Sequence, residues 1–397
     1  MNKKESLKYV CLFGGGAIRG AAHVGVIRAF EENNIVCDTY GGSSVGSIFA
    51  VLNAIGYSAD ELEQIFLAVN FELFRDISFG FNTKFALSKG EVFLDWFREL
   101  LEKKYYGDEY EKGKNEPVKF KDVDKNLIII STNIKDFTCH EFSTVKTPDF
   151  EIAMAVRVSC CAPGLMKPVN IDDKLLVDGD LLKGKPMWAL CDSLKNSKER
   201  IMEIRLEGEY TGDDNTPLDY VNGMYSCITS CETDFIKEIY QDNDMFDYIV
   251  LNTGNVVVFD FNYPMEKRQS IIDSGYKQAV EYLKNVLPYK KQKLYFVYTK
   301  ILDNVRKIQE FMLKKKYSAA KNTLAELFIL LSDVKDKIDY NVFEEISKFQ
   351  KILFSNVKEG LLGSSRCENI DLVKAQQALI ISLLTDKVKE FDNYFQD

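Results

Sequence analysis

Gly42-Ser43-Ser44-Val45-Gly46 is the stretch that decides the fold of this 397-residue chain, read together with Gly14-Gly15-Gly16 upstream. Gly-x-Ser-x-Gly is the pattern of a tight strand-to-helix turn that lifts one serine out at the top of a sheet. Gly42 and Gly46 fit its outer positions, where any Cβ would strike the neighbouring strand or helix. The flanks suit that geometry. Val36 to Tyr40 can extend as a strand, and Val45 to Ile55 is an apolar helix-forming run closed by Gly56. Ser44 is therefore the candidate nucleophile, at the N-terminus of a helix whose dipole favours negative charge. Alone, the pentapeptide is a weak signal, because short Gly/Ser patterns recur by chance.

The upstream glycines add weight. Tyr9 to Phe13 reads as a short buried strand running into Gly14-Gly15-Gly16-Ala17-Ile18-Arg19-Gly20, then a helix through about Asn33. Such a turn presents bare backbone N–H groups at a positive helix end, suited to a phosphate or to the oxyanion of an acyl-transfer intermediate. The dinucleotide fingerprint G-x-G-x-x-G fails in both registers, because Arg19 replaces its third glycine or Ala17 its second. A P-loop would need Gly-Lys-Ser/Thr, and Gly20 is followed by Ala21. The oxyanion reading is left ahead.

A third element is Leu175-Leu176-Val177-Asp178-Gly179-Asp180, an apolar strand ending in a carboxylate at a glycine turn. A Gly-Gly-Gly-x-x-Arg-Gly loop, a Gly-x-Ser-x-Gly elbow and a later Asp-Gly, in this order, resemble the patatin-like phospholipase family. His23-Val24-Gly25-Val26, the strand Ile128 to Asn133, Cys161-Ala162-Pro163-Gly164 and Lys167-Pro168-Val169 extend the likeness over roughly residues 7 to 288. The resemblance implies a Ser–Asp dyad, with Ser44 attacking an acyl ester and Asp178 as base. It implies an oxyanion hole in the loop of Gly14, Gly15, Gly16 and Ala17, with Arg19 steadying the loop, and phospholipids or lysophospholipids as substrates.

The histidines agree with a dyad. A Ser-His-Asp triad needs a histidine base, and the chain has two, His23 and His140. His23 precedes the serine, on the helix after the glycine loop, and His140 reads as a surface residue of a polar turn between Cys139 and Glu141. Two departures from the family stand out: Asp180 takes the place of a small residue or glycine, and Lys183-Gly184-Lys185-Pro186 replaces an Asn-containing approach to proline. Asp180 is expected to face away from Asp178, since adjacent side chains seldom converge.

Composition sets the wider frame. Apolar content of 46% and charged content of 28% fit a globular protein with a sizeable core. There is no apolar run of transmembrane length and no visible signal peptide. Nine cysteines at scattered spacings suggest reduced thiols and no zinc site. The expected compartment is the cytoplasm, with peripheral attachment to membranes during activity; delivery into another cell stays open. A formal net charge of −9 argues against nucleic acid as a partner, and no cofactor or metal is expected.

Along the chain, strands and helices alternate to about Pro288, the mark of a sheet covered on both faces. The expected fold is α/β: a patatin-like three-layer α/β/α domain with a mostly parallel central sheet over residues 1–288, plus a C-terminal all-α bundle over 289–397. Phenylalanines at 71, 74, 79, 81 and 85 lack a clear period and are expected to border a substrate mouth. After Pro288 strands disappear, and apolar residues at helical spacing suggest about four helices. This tail holds 19 Lys and Arg against 15 Asp and Glu, opposite in balance to the domain before it. It is expected to dock on a phospholipid membrane surface or to bind a protein activator. Two other functions stay open: a soluble serine esterase or amidase of small acyl substrates, and a catalytically silent partner-binding protein.

Overall fold

Short apolar runs bounded by glycine or charged turns form the strands of the first unit in the computed structural model. The structure describes residues 8–75, 86–182, 187–191, 194, 200–208, 220, 223, 246–256, 263–335, 338–360 and 364–395. The described residues fall into two compact units, one reaching Leu283 and the other starting at Lys284.

In the first unit, strand β1 (Lys8–Phe13) runs through a 3-10 turn (Ala17–Ala21) into helix α1 (Ala22–Glu32). Strand β2 (Val36–Ser43) leads into α2 (Val45–Ala54) and α3 (Ala59–Ala68). A capping box opens α3: Ser58 Oγ accepts the Glu61 N–H, and the Glu61 carboxylate accepts the Ser58 N–H. Next come β3 (Ala86–Ser88), α4 (Glu91–Tyr106), β4 (Asn126–Asn133), β5 (Thr138–Ser143) and α5 (Ile152–Ser159). Strands β6 (Gly164–Met166), β7 (Val169–Ile171) and β8 (Lys174–Val177) precede a short helix, α6 (Met187–Leu190). Strands β9 (Arg200–Glu207) and β10 (Phe246–Asn252) and helix α7 (Met265–Glu281) follow.

The main sheet runs β10-β9-β1-β2-β4-β8-β7, with β5 also on β4. Strands β10, β9, β1, β2 and β4 are parallel, and β5, β8 and β7 pair antiparallel. The parallel strands are buried on both faces, which explains continuous apolar runs such as Leu127 to Ile130. All five point their C-terminal ends the same way, so the turns after β1 and β2 share one end of the sheet.

Phe71 and Phe74 pack against Phe66, Phe93 and Trp96. This part of the aromatic stretch folds back on α4, while Phe79, Phe81 and Phe85 lie outside the described residues. The reading of nine reduced thiols needs correction. Cys11 of β1 and Cys37 of β2 are joined by a disulfide with Cα atoms 6.0 Å apart, and among the described residues Cys139, Cys160, Cys161, Cys191 and Cys367 form no disulfide.

The second unit is helical: α8 (Leu287–Leu313), α9 (Tyr317–Val334), α10 (Tyr340–Asn356) and α11 (Ile370–Phe395), with a small hairpin of β11 (Val357–Glu359) and β12 (Ser365–Cys367). Ile301, Val305, Leu324, Ile346, Phe349 and Leu384 lie in its core. Gln377, buried on α11, donates to the Val305 carbonyl at 3.2 Å. No helix among the described residues is long and apolar enough to cross a membrane.

Candidate active site

Two strands meet end to end to make the site. On β4, Ile130 pairs with Ser43, the last residue of β2. Thr132 pairs with Val177, the last residue of β8, which runs the other way. Because β5 takes the opposite edge of β4 over Ile128 to Asn133, β8 shares the edge used by β2. Ser44 and Asp178 follow the two facing strand ends, and Ser44 Oγ donates to Asp178 Oδ2 at 2.8 Å. Gly179 permits the approach, for a Cβ there would lie 2.3 Å from the Ile130 carbonyl oxygen.

The elbow is as tight as its glycines suggest. A Cβ on Gly42 would come within 2.4 Å of the Gly46 oxygen, and one on Gly46 within 1.9 Å of the Phe13 oxygen. Ser44 has φ 49° and ψ −133°, a backbone region in which a residue with a side chain is strained. The surroundings hold it there. The Ser44 N–H donates to Ser159 Oγ at 2.9 Å, and Ser159 Oγ donates to the Ile130 carbonyl at 2.7 Å. Ser159, at the last turn of α5, gave no signal in the sequence: a serine closing an apolar helix has many ordinary uses.

Not every N–H of the glycine loop is open to the oxyanion role expected of it. The Gly14 N–H is bonded to the Ile204 carbonyl at 2.8 Å as part of the sheet, so Gly14 is removed from the expected set of donors. The Gly15 N–H points to Asp180 Oδ1 at 3.3 Å. Gly16 (φ 155°) and Ala17 (φ 47°) then turn the chain into the helix, and their N–H groups are the donors left to the expected set. Arg19 is buried and directs Nε and Nη2 to the Val256 carbonyl at 3.0 and 2.8 Å, away from Ser44. Burial pulls its guanidinium down to about 10, so it stays charged at neutral pH.

His23 and His140 stand outside the Ser44–Asp178 pair. His23 Nε2 bonds to the Gly14 carbonyl at 2.8 Å. His140 lies on β5, opposite Ser131, where a surface turn was expected; strand pairing with β4 overrides its polar neighbours. Burial, then the nearby Lys174, pushes its imidazole down to about 4. The Asp180 carboxylate is directed to Ser43 and Gly15, and its contact with Asp178 is made by its backbone N–H. Asp180 is buried, and its N–H donates to Asp178 Oδ1 at 2.8 Å.

Comparison with known proteins agrees with this architecture. Residues 12–190, which hold Ser44 and Asp178, match the family model described as patatin-like phospholipase. An uncharacterized protein of Acanthamoeba polyphaga mimivirus is 27% identical over 290 residues, covering 70% of this chain and 93% of that one. The lysophospholipase NTE1 of Meyerozyma guilliermondii is 26% identical over 218 residues, which is 53% of this chain and 13% of that protein. The solved structure of VipD from Legionella pneumophila aligns with a TM-score of 0.51 over 96% of this chain and 90% of that chain, at 14% identity, a likeness of fold. Residues 12–190 of the chain thus carry a patatin-like phospholipase domain.

Proposed function

We propose that the protein cleaves fatty-acyl esters of phospholipids or lysophospholipids through a Ser44–Asp178 dyad. The observation that carries this reading is the 2.8 Å hydrogen bond from Ser44 Oγ to Asp178 Oδ2 at a strained, buried strand-to-helix turn. Asp178 takes the serine proton as Oγ attacks the ester carbonyl, and the N–H groups of Gly16 and Ala17 receive the oxyanion. Asp178 then protonates the departing alcohol. Water, deprotonated by the same carboxylate, splits the acyl-enzyme and releases the fatty acid. Arg19 and His23 hold the backbone of the loop that carries the donors.

A lipid surface as partner is supported by the active-site end of the sheet. From Ile130, level with Ser43, β4 continues for three residues, about 10 Å at strand rise, before a turn that carries Phe137. Phe137 is 81% exposed with φ 59°, and Asp136 Oδ1 secures the turn by accepting from the Thr138 N–H at 3.2 Å and its hydroxyl at 2.6 Å. An aromatic ring held out beside a lipase site is suited to entering a bilayer interface. In the helical unit, Leu313 is 69% exposed and is followed by exposed Lys314, Lys315 and Lys316. We assign this unit to docking on anionic lipid or to a protein activator, and the protein to peripheral work at membranes from the aqueous side.

The test is incubation with vesicles of mixed phospholipids and lysophospholipids, with products identified by mass spectrometry and Ser44→Ala as control. Fatty acid released by the wild type and not by the variant supports the reading. Cleavage of short-chain esters without any lipid turnover would assign a soluble esterase. Neither turnover nor fluorophosphonate labelling would leave a silent binding protein.

A further inference from the structure

The turn that delivers Asp178 carries a second buried carboxylate at Asp180, only 1% exposed. Three contacts orient it. Its N–H donates to Asp178 Oδ1 at 2.8 Å, and its Oδ1 accepts from the Ser43 hydroxyl and from the Gly15 N–H at 3.3 Å. Oδ2 lies against the glycine loop: a Cβ added to Gly15 would stand 1.9 Å from Asp180 Oδ2 and 2.7 Å from Ser44 Cβ. Across the loop sits Arg205, whose Cδ would be 3.0 Å from a Cβ on Gly14. Arg205 is buried and paired with Glu203, and the Asp180 charge is among those that help keep it protonated. One residue therefore touches the elbow and the glycine loop with its side chain and Asp178 with its backbone N–H.

Burying a carboxylate is costly unless hydrogen bonds and a counter-charge offset the loss of water. Asp180 has these, and its two side-chain donors come from elements 165 and 137 residues away in sequence. A small residue at this position would leave the Ser43 hydroxyl and the Gly15 N–H without that acceptor. We propose that Asp180 is a positioning residue: it clamps the nucleophile elbow to the glycine loop and, through its own N–H, orients Asp178 toward Ser44. The clamp also commits the Gly15 N–H, so the oxyanion donors are Gly16 and Ala17. The kinetic consequence rests on the acyl-hydrolase reading above; the clamp itself does not.

The test compares wild type, Asp180→Ala, Asp180→Asn and Ser43→Ala in three measurements. These are turnover of a short-chain p-nitrophenyl ester, the rate of Ser44 labelling by a fluorophosphonate, and amide exchange in peptides spanning 14–20 and 42–46. Asp180→Ala should lower kcat and the labelling rate by roughly 10- to 100-fold with KM nearly unchanged. Exchange should accelerate at least about tenfold in both peptides and stay unchanged in β9 and β10. Asp180→Asn keeps an Oδ1 acceptor and should stay within about fivefold of wild type. If Asp180→Ala fails to fold, Ser43→Ala decides: it should slow labelling several-fold and loosen 42–46. Wild-type exchange and labelling in the folded alanine variant (in Ser43→Ala where it does not fold), or faster turnover than wild type, would overturn the proposal. A wild type that neither turns over nor labels would defeat the hydrolase reading, and the exchange comparison would still decide the clamp.

Discussion

His23 bonds through Nε2 to the Gly14 carbonyl at 2.8 Å, and its ring stands edge-on to Phe13 and Phe49. The only proton the carbonyl can share is the one on Nε2, so this histidine secures the backbone of the glycine loop. Replacing it with Phe keeps the ring packing and leaves the carbonyl without that donor, at a cost of about 1–3 kcal/mol. His23→Phe should melt earlier, yet keep kcat for a soluble ester within about tenfold when measured below its transition. A folded variant as inactive as Ser44→Ala would move His23 into the chemistry.

In the proposed reaction nucleophile and base act as one unit, so their removal should not be additive. Ser44→Ala and Asp178→Asn should each lower kcat/KM by about a thousandfold or more, and the double variant should lose little beyond either. Circular dichroism and thermal melting check that both remain folded. Substantial turnover in either single variant removes that residue from the mechanism.

The imidazole of His140 is pushed below its ordinary value, to about 4, by burial and by Lys174, whose Nζ lies 3.2 Å from Nδ1. The unfolded chain then binds a proton that the folded chain refuses between about pH 6.5 and 4. Stability is intact above pH 6.5 and falls as the pH drops through this window. The loss should amount to roughly 1–2 kcal/mol once solvent screening of a half-exposed group is allowed for. His140→Gln should flatten that part of the urea-midpoint profile; an unchanged slope would assign the acid sensitivity elsewhere.

The glycine loop and the elbow were legible because their demands are local: Gly42 and Gly46 are required by atoms a few residues away or on the next strand. Asp178 was not legible in that way. Nothing near it shows that β8 runs against β4 on the edge used by β2, and only the family resemblance connected it to Ser44. Ser159 and Asp180 were lost for the same reason, as their partners in the elbow and the glycine loop are 115 to 165 residues away. The polar run Cys139-His140-Glu141 suggested a turn, yet a strand on β4 takes its backbone partners from β4 whatever its side chains are. The Cys11–Cys37 disulfide was hidden because cysteine spacing carries no register.

An exposed ring at the active-site end should matter only when substrate lies in a surface. Phe137→Ser should weaken vesicle binding and turnover at least about fivefold while leaving a soluble ester within about twofold. Flotation with vesicles and parallel ester assays measure both. Equal loss on the two substrates would make Phe137 a packing residue.

Backbone N–H groups supply the electrophile in the proposed reaction, so the chemical step should not need calcium. Hydrolysis of a soluble ester should be unchanged, within about twofold, after EDTA treatment. Loss on chelation and recovery with calcium would overturn the assignment of Gly16 and Ala17.

Because β2 and β8 abut along one edge of β4, the gap between Ser44 and Asp178 is measured on a ruler of three residues, Ile130 to Thr132. The sequence separation of 134 between the pair does not enter it. Insertions into the exposed loop around Asp108 to Asn115 would lengthen the chain and leave the reacting atoms where they are. Deleting Ser131 alone would shift one strand end by about 3.3 Å and invert the facing of every residue beyond it. Changes of length confined to such a loop therefore leave the two side chains in register, whereas one residue gained or lost in this part of β4 does not.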